Sequence, residues 1–346
     1  MSAILKMNAI LEATPPLLFS KSLPKPTVAL VKDKGMDFPY QKYNLIYKDA
    51  YWPRYERFLI ANGVNYRFVD INCSDWQEQL RGCEALIWRV DSDPATLSQA
   101  KPKIYFIQNF LGVKCFPSFK EIWHYEDKGL IHYILRQNRL PEIPVFFSFS
   151  KQESIDYLKG AKYPMVFKIT NGSSSMNVEK VSSKKQAMAI VELAFGRNGR
   201  KTGWPYLRQK NYIYAQEFIE QIDQEVRIIL AGEKIFGYYK EPKSGDFRAS
   251  GSGIVKKGEL PSEAMDIARE VRDVFDSEQL VVDLVSSKRD NKFMILEVSF
   301  FIRIITSEQL KVDDVAGYYV YDGDNYHFTP GKYWIQELAL MHFFER

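Results

Sequence analysis

The runs LVVDLVSS (280–287) and KFMILEVSF (292–300) are almost wholly apolar, are each one strand long, and are separated by the charged turn KRDNK. Such a pair reads as a β-hairpin buried on both faces. Each run carries one acid, Asp283 and Glu297, and the hairpin can set the two carboxylates side by side. Buried like charges repel. They are tolerated when a divalent cation or a proton lies between them, and one or two carboxylates suit magnesium bound to phosphates. An acid pair facing solvent at a sheet edge is the competing reading, and the apolar neighbours weigh against it.

The stretch YPMVFKITNGSSSMNV, Tyr163 to Val178, poses a related problem. Met165, Val166, Phe167 and Ile169 ask for a buried strand, yet Lys168 puts an ammonium among them, at a cost on the order of several kcal/mol unless a partner or water reaches it. Two readings stand: Lys168 lies on the polar face of a period-two strand, or it meets an anion. Asn171, Gly172 and Ser173 to Ser175 follow, small residues whose backbone N–H groups and hydroxyls can close on phosphate oxygens. No Gly-Lys-Ser/Thr follows at the spacing of a Walker A loop.

Around these segments the 346 residues divide into an arm and three blocks. Residues 1–26 hold Pro15, Pro16, Pro24 and Pro26 without periodicity and read as an arm or tail. From Thr27, the strands TVALVK, NYRFVDI and EALIWRV are interleaved with helical stretches, PRYERFLIANG among them, which predicts a parallel sheet over 27–117. Residues 118–210 open on the helical runs SFKEIWHY and EDKGLIHYILRQN. They continue through the strand VFFSF, a helix at SKQESIDYLKG, the Lys168 strand, VEKVS and the helix KKQAMAIVELAFG. Residues 211–346 run through NYIYAQEFI, QEVRIILAG and EKIFGYYKE, the helix PSEAMDIAREVRDVF and the acid hairpin. The hairpin signals at AGEK and KRDNK predict an antiparallel sheet with helices on one side.

The net charge of +4 is small and the two signs are interspersed, which gives no argument for a nucleic-acid partner. Cys73, Cys83, Cys115 and the four histidines lack a metal-binding spacing. No apolar run reaches membrane-spanning length and no export signal opens the chain, so a soluble protein of the reducing cytoplasm is expected.

In order along the second and third blocks, these segments resemble the ATP-grasp superfamily of D-alanine–D-alanine ligase, glutathione synthetase and the glutamate-adding ligases. The resemblance implies an α/β and α+β chain, an ATP-grasp fold preceded by a Rossmann-like parallel-sheet domain, with ATP and magnesium (Mg2+) as cofactors. It implies that Lys128 in HYEDKGL and Lys168 in MVFKIT bind nucleotide phosphates, under a flap from Asn171 to Met176 that includes Ser173, Ser174 and Ser175. In QEFI, Glu217 corresponds to the acceptor of the adenine amino group, and the backbone of Phe218 and Ile219 to the hinge along the ring edge. In EVR, Glu225 corresponds to the ribose ligand and Arg227 to a cation near the transferred phosphate. KEPKSGDFRASGSG supplies Lys240 and Arg248, with Ala249 and Ser250 lining the same turn, and the metal pattern becomes Asp283, Glu297 and Ser299. Lys128 beside Asp127 is also compatible with a helix-surface lysine, and Arg227 and Arg248 with sheet-surface cations.

Two departures matter. Ser299 stands where most members carry Asn, and FFIRI lacks the Pro-Gly turn that usually follows. With the aromatic segment GYYVYDGDNYHFTPGKYW, these features look more like the ATP-grasp proteins associated with bacterial surface-polysaccharide synthesis than like the peptide ligases. The resemblance implies ATP-dependent joining of a small-molecule carboxylate to an amine, or to a thiol, through an acylphosphate. A sugar or small-alcohol kinase on the same fold and a non-catalytic ATP-binding module are the rival readings. Arg89, Asp91 and Asp93 follow a parallel strand at its carboxyl end, where open sheets bind ligands. Asp93 serves at least as well as an N-cap for the helix after Pro94. The pattern is compatible with a homodimer and does not specify one.

Overall fold

The computed structural model describes residues 14–20, 25–32, 51–172, 177–242, 254–289, 291–301, 304 and 306–346. Strands β1 (Val28–Val31), β2 (Tyr66–Val69), β3 (Ala85–Ile87) and β4 (Lys114–Phe116) form a parallel sheet in the order β2-β1-β3-β4. Helices α1 (Trp52–Ala61), α2 (Trp76–Gln79) and α3 (Pro94–Phe110) lie in the connections that parallel strands require. All residues of β1 and β3 are buried, which is why both read as continuous apolar runs. Asp93 caps α3 by accepting from the Thr96 amide at 2.9 Å.

The chain continues through α4 (Phe119–His124) and α5 (Lys128–Gln137), the second capped by Asp127. Next come β5 (Val145–Ser148), α6 (Lys151–Gly160), β6 (Met165–Lys168), β7 (Glu179–Val181), α7 (Lys184–Phe195), the small pair β8 (Arg200–Lys201) and β9 (Arg208–Gln209), and β10 (Ile213–Glu217). The sequence pattern places β10 at the head of the third block, from residue 211. The structure inserts it between β5 and β6, in an antiparallel sheet ordered β5-β10-β6-β7. The reason is packing: Ile213 and Ala215 complete a separate apolar core with Leu158, Met165, Phe167 and Ile190.

The third unit holds β11 (Ile222–Ala231), β12 (Lys234–Glu241), β13 (Ile254–Lys256), α8 (Ser262–Phe275), β14 (Gln279–Ser287) and β15 (Phe293–Ser299). After them come β16 (Lys311–Val312), β17 (Val315–Tyr321), β18 (Tyr326–Pro330) and α9 (Ile335–Glu345). Its sheet runs β15-β14-β11-β12-β17-β16, with β13 on β12 and β18 on β17. Both anticipated hairpins form: Ala231 pairs with Lys234 across a two-residue turn in which Gly232 takes φ +54°, and β14 pairs with β15. Helix α8 covers β11 and β14 through Ala264, Ile267, Ala268, Val271 and Phe275. Val226, Ile228, Val282 and Leu284 enter the main apolar core, so by the period of two Glu225, Arg227 and Asp283 lie on the opposite face.

Helix α9 turns back to the first unit, where the Lys114 ammonium donates to the Phe343 carbonyl at 2.5 Å. The described part of the arm runs along α1 and α9: the Leu17 amide donates to Glu337 at 3.0 Å, and Asn62 donates to the Leu17 carbonyl at 2.9 Å. No helix among the described residues is long and apolar enough to cross a membrane.

Candidate active site

Asp283 and Glu297 are direct cross-strand partners on β14 and β15, as the hairpin predicts. Asp283 is 2% exposed and its carboxylate is gripped by cations from two neighbouring strands. From β11, Arg227 forks onto it through Nε and Nη2, both at 2.7 Å. From β12, Lys240 Nζ reaches Asp283 Oδ2 at 2.9 Å and Glu225 Oε1 at 2.7 Å. Burial alone would raise the Asp283 carboxyl, but Arg227 and Lys240 hold it far below the usual carboxylate range. Glu225, whose one ion pair among the described residues is with Lys240, is raised by its burial.

The Glu297 side is less completely paired. Lys128, the first residue of α5, sends Nζ to Glu297 Oε1 at 3.1 Å and donates to the Gly172 carbonyl at 2.6 Å, so the helix start, the flap entry and β15 meet at one ammonium. Burial pulls the Lys128 ammonium down, and Glu297 with Glu126 more than restores it. Lys168 ends β6, is 7% exposed, and has no ion pair within 4.0 Å among the described residues. Its burial depresses it to about 8, partly offset by Glu297 and reinforced by Lys128. The solvent-facing reading of Lys168 is thereby excluded.

Lys128, Lys168 and Glu297 line a cleft together with His132, Glu142, Tyr214 and Gln216. The last four are not singled out by the sequence pattern. His132 lies four residues after Lys128 and therefore on the same helical face, the one signal available. Its Nδ1 lies 2.6 Å from Glu142 Oε1. Glu126 is a further buried acid that sequence reasoning passes over, 8% exposed and raised by burial to about 7.

Glu217 is exposed at the end of β10, and its amide donates to the Pro144 carbonyl at 2.9 Å. Phe218 and Ile219 then lead from the β10 sheet into β11, and Lys180 Nζ sits 3.9 Å from the Phe218 ring. Ser173, Ser174, Ser175, Arg248, Ala249 and Ser250 lie outside the described residues. Beyond β3, Arg89 is ion-paired with Asp91 and stacks 5.0 Å from the centre of the Tyr51 ring.

Magnesium takes hard oxygen donors and is commonly held by one or two carboxylates, with phosphates and water completing the shell. The donor set fits one such cation. Among the described residues, Arg227 Nε is the single hydrogen bond to Asp283 Oδ1 and Lys128 contacts only Oε1 of Glu297, and Ser299 lies two residues on along the same face. The Ser299 hydroxyl donates to the Phe301 carbonyl at 2.9 Å, which leaves its oxygen lone pairs as acceptors. Among the described residues no three His, Cys, Asp or Glu side chains converge as a closed metal cage would require.

Residues 126–316, more than half of the chain, match the RimK-like ATP-grasp domain family. The chain belongs to the RimK-like ATP-grasp family. This RimK-like protein is 25% identical over 177 residues to the alpha-aminoadipate–LysW ligase LysX of Saccharolobus solfataricus, across 50% of its own length and 61% of that relative's. It thus spans less than two thirds of the curated relative it matches. Among solved structures it resembles D-cycloserine synthetase DcsG, at TM-score 0.57 and 15% identity over 91% of this chain and 98% of that one. It also resembles the D-alanine–D-alanine ligase of Bacillus anthracis, at TM-score 0.54 and 16% identity over 82% and 90%. These likenesses establish the ATP-grasp fold of the RimK-like chain, parallel sheet included.

Proposed function

We propose that the protein is an ATP-dependent ligase that activates a carboxylate as its acylphosphate and joins it to an amine. The observation that carries this reading is the convergence of Lys128, Lys168 and Glu297 on one cleft, from α5, β6 and β15. A buried ammonium depressed to about 8 and lacking an ion pair within 4.0 Å among the described residues is a site prepared for an anion. The same fold holds ATP in the Bacillus anthracis D-alanine–D-alanine ligase, and the LysX relative is by name a ligase.

In this reading Lys128 and Lys168 bind the phosphate tail, with Ser173, Ser174 and Ser175 as further phosphate ligands. Glu217 and the backbone of Phe218 and Ile219 receive the adenine, and Glu225 the ribose. Asp283, Glu297 and Ser299 would hold magnesium, which when bound neutralises phosphate charge. A carboxylate oxygen attacks the terminal phosphorus and the bond to ADP breaks. The amine nitrogen then adds to the acyl carbon, phosphate leaves with the C–O bond, and the nitrogen gives up its proton. Phosphoryl transfer depends chiefly on positioning and electrostatics. Arg227, Lys240 and Arg248 serve that end, the first two by fixing Asp283. A surface-polysaccharide precursor as substrate and a cytoplasmic setting are the finer parts of the proposal.

ADP release over a panel of carboxylates, amines, thiols, alcohols and nucleotide sugars tests it. Release that needs a carboxylate together with an amine is expected. Release with an alcohol alone selects the kinase, and tight ATP binding without turnover selects the binding module.

A further inference from the structure

Glu126 is a charged group near this cleft that the ATP chemistry leaves unused. It lies in the turn between α4 and α5 at φ +56°, a left-handed conformation that costs a glutamate on the order of 1 kcal/mol. The preceding Tyr125 is fully buried with its ring 5.4 Å from that of Phe301 and its hydroxyl bonded to Ser92, so the turn is fixed from both sides. Lys128 spends its short contacts on Gly172 and Glu297 and stands 3.9 Å from Glu126 Oε2, beyond hydrogen-bond reach. No described residue donates a hydrogen bond to the Glu126 carboxylate.

A carboxylate that is more than nine-tenths buried, with no donor among the described residues and Lys128 no closer than 3.9 Å, costs stability. Backbone strain that persists around such a group is characteristic of a ligand site. Its surroundings say which ligand. The charged groups that act on it are Lys128 and Glu297 of the phosphate cleft, Lys101, and Arg89, which follows β3 at the carboxyl edge of the parallel sheet, the edge where such sheets bind ligands. A second anion would be repelled by Glu126, whereas an ammonium would supply the missing donor and charge.

We propose that Glu126 is a specificity residue that receives the amine substrate as its ammonium, beside the place where the acylphosphate forms. The assignment rests on the ligase reading above. It names the acceptor class as a primary amine protonated at neutral pH, to the exclusion of thiols, alcohols and N-acylated amines.

The test is calorimetric binding to the full-length protein saturated with magnesium and the non-hydrolysable analogue AMP-PNP. The probes are glycine, L-alanine, L-glutamate, ethanolamine and glucosamine, each beside its N-acetylated form. At least one free amine is expected to bind where its N-acetyl form does not. Glu126→Gln should weaken that amine by about tenfold or more, the order found for a charge-assisted hydrogen bond, and leave AMP-PNP affinity unchanged. Should Glu126→Gln fail to fold, Glu126→Asp carries the test, with weaker amine binding and unchanged AMP-PNP binding expected. Equal amine binding by the variant and the natural protein overturns the assignment, as does a variant that loses AMP-PNP and amine affinity in equal measure, which would make Glu126 a support for Lys128. AMP-PNP binding with no amine bound overturns the assignment and leaves the nucleotide site standing. Failure to bind AMP-PNP overturns both.

Discussion

Asp283 and Glu297 oppose each other across one strand pair, yet their surroundings are unlike. Around Asp283 the charges are closely paired: Arg227 and Lys240 both grip it, Lys240 also holds Glu225, and the carboxylate is fixed in the sheet with Oδ1 accepting from Arg227 alone among the described residues. Around Glu297 the charges are open: Lys128 is shared among Glu297, Gly172 and a distant Glu126, and Lys168 is buried without a close counter-charge. The closed half supplies rigidity, and the open half carries the electrostatic cost that a bound anion would relieve.

The comparison breaks most readily at Asp283. Asp283→Asn leaves Arg227 buried without its counter-charge and Lys240 with Glu225 alone, and a urea titration should show a loss of about 3–5 kcal/mol, the usual result of removing one partner from a buried pair. Because its carboxyl is depressed in the folded state, Asp283 contributes stability above its ordinary value of 3.8, and this is lost as pH falls toward the lower folded value.

In the open half the order of effects reverses. Lys168→Met should be at least as stable as the natural protein, yet slow turnover by about 10²- to 10³-fold, as the loss of one transition-state charge partner does. The linkage differs in sign as well. Lys168 has a folded value of about 8 against an ordinary 10.5, so its cost is full below about pH 8 and fades as pH rises to 10.5. Melting curves should therefore show the natural protein gaining on Lys168→Met across that window, and magnesium with ATP should reduce the difference.

The smallest effect belongs to Ser299, the proposed neutral ligand beside two proposed charged ones. Ser299→Asn should lower the magnesium concentration for half-maximal activity by a few-fold, about 1 kcal/mol, while Glu297→Gln abolishes turnover in either background. An unchanged magnesium titration together with an active Glu297→Gln would remove this hairpin from the metal site.

The hairpin acids and Lys168 are legible in the sequence because one charge in an apolar strand stands out against the pattern. The pairing that fixes Asp283 is not, since Lys240 and Arg227 reach it from two other strands and only the strand order brings them together. Strand β10 reads correctly as a strand and falls in the wrong block, because local periodicity does not say which sheet an apolar face will join. Glu126, His132 and Glu142 escape notice for a similar reason: a charged or polar residue in a turn or on a helix looks like surface until the packing buries it. Helix α9 is apolar over most of its surface and lacks the polar face that would announce an amphipathic helix.

The central claim is that a carboxylate is phosphorylated in the cleft between Lys168 and Glu297. Oxygen transfer tests it most directly. With a carboxylate that supports ADP release, labelled with ¹⁸O in its carboxyl group, one ¹⁸O should appear in the inorganic phosphate released on reaction with the amine, and Lys168→Met should slow that transfer in step with turnover. Phosphate free of ¹⁸O while the amide forms, or ¹⁸O transfer undiminished in Lys168→Met, would contradict the account.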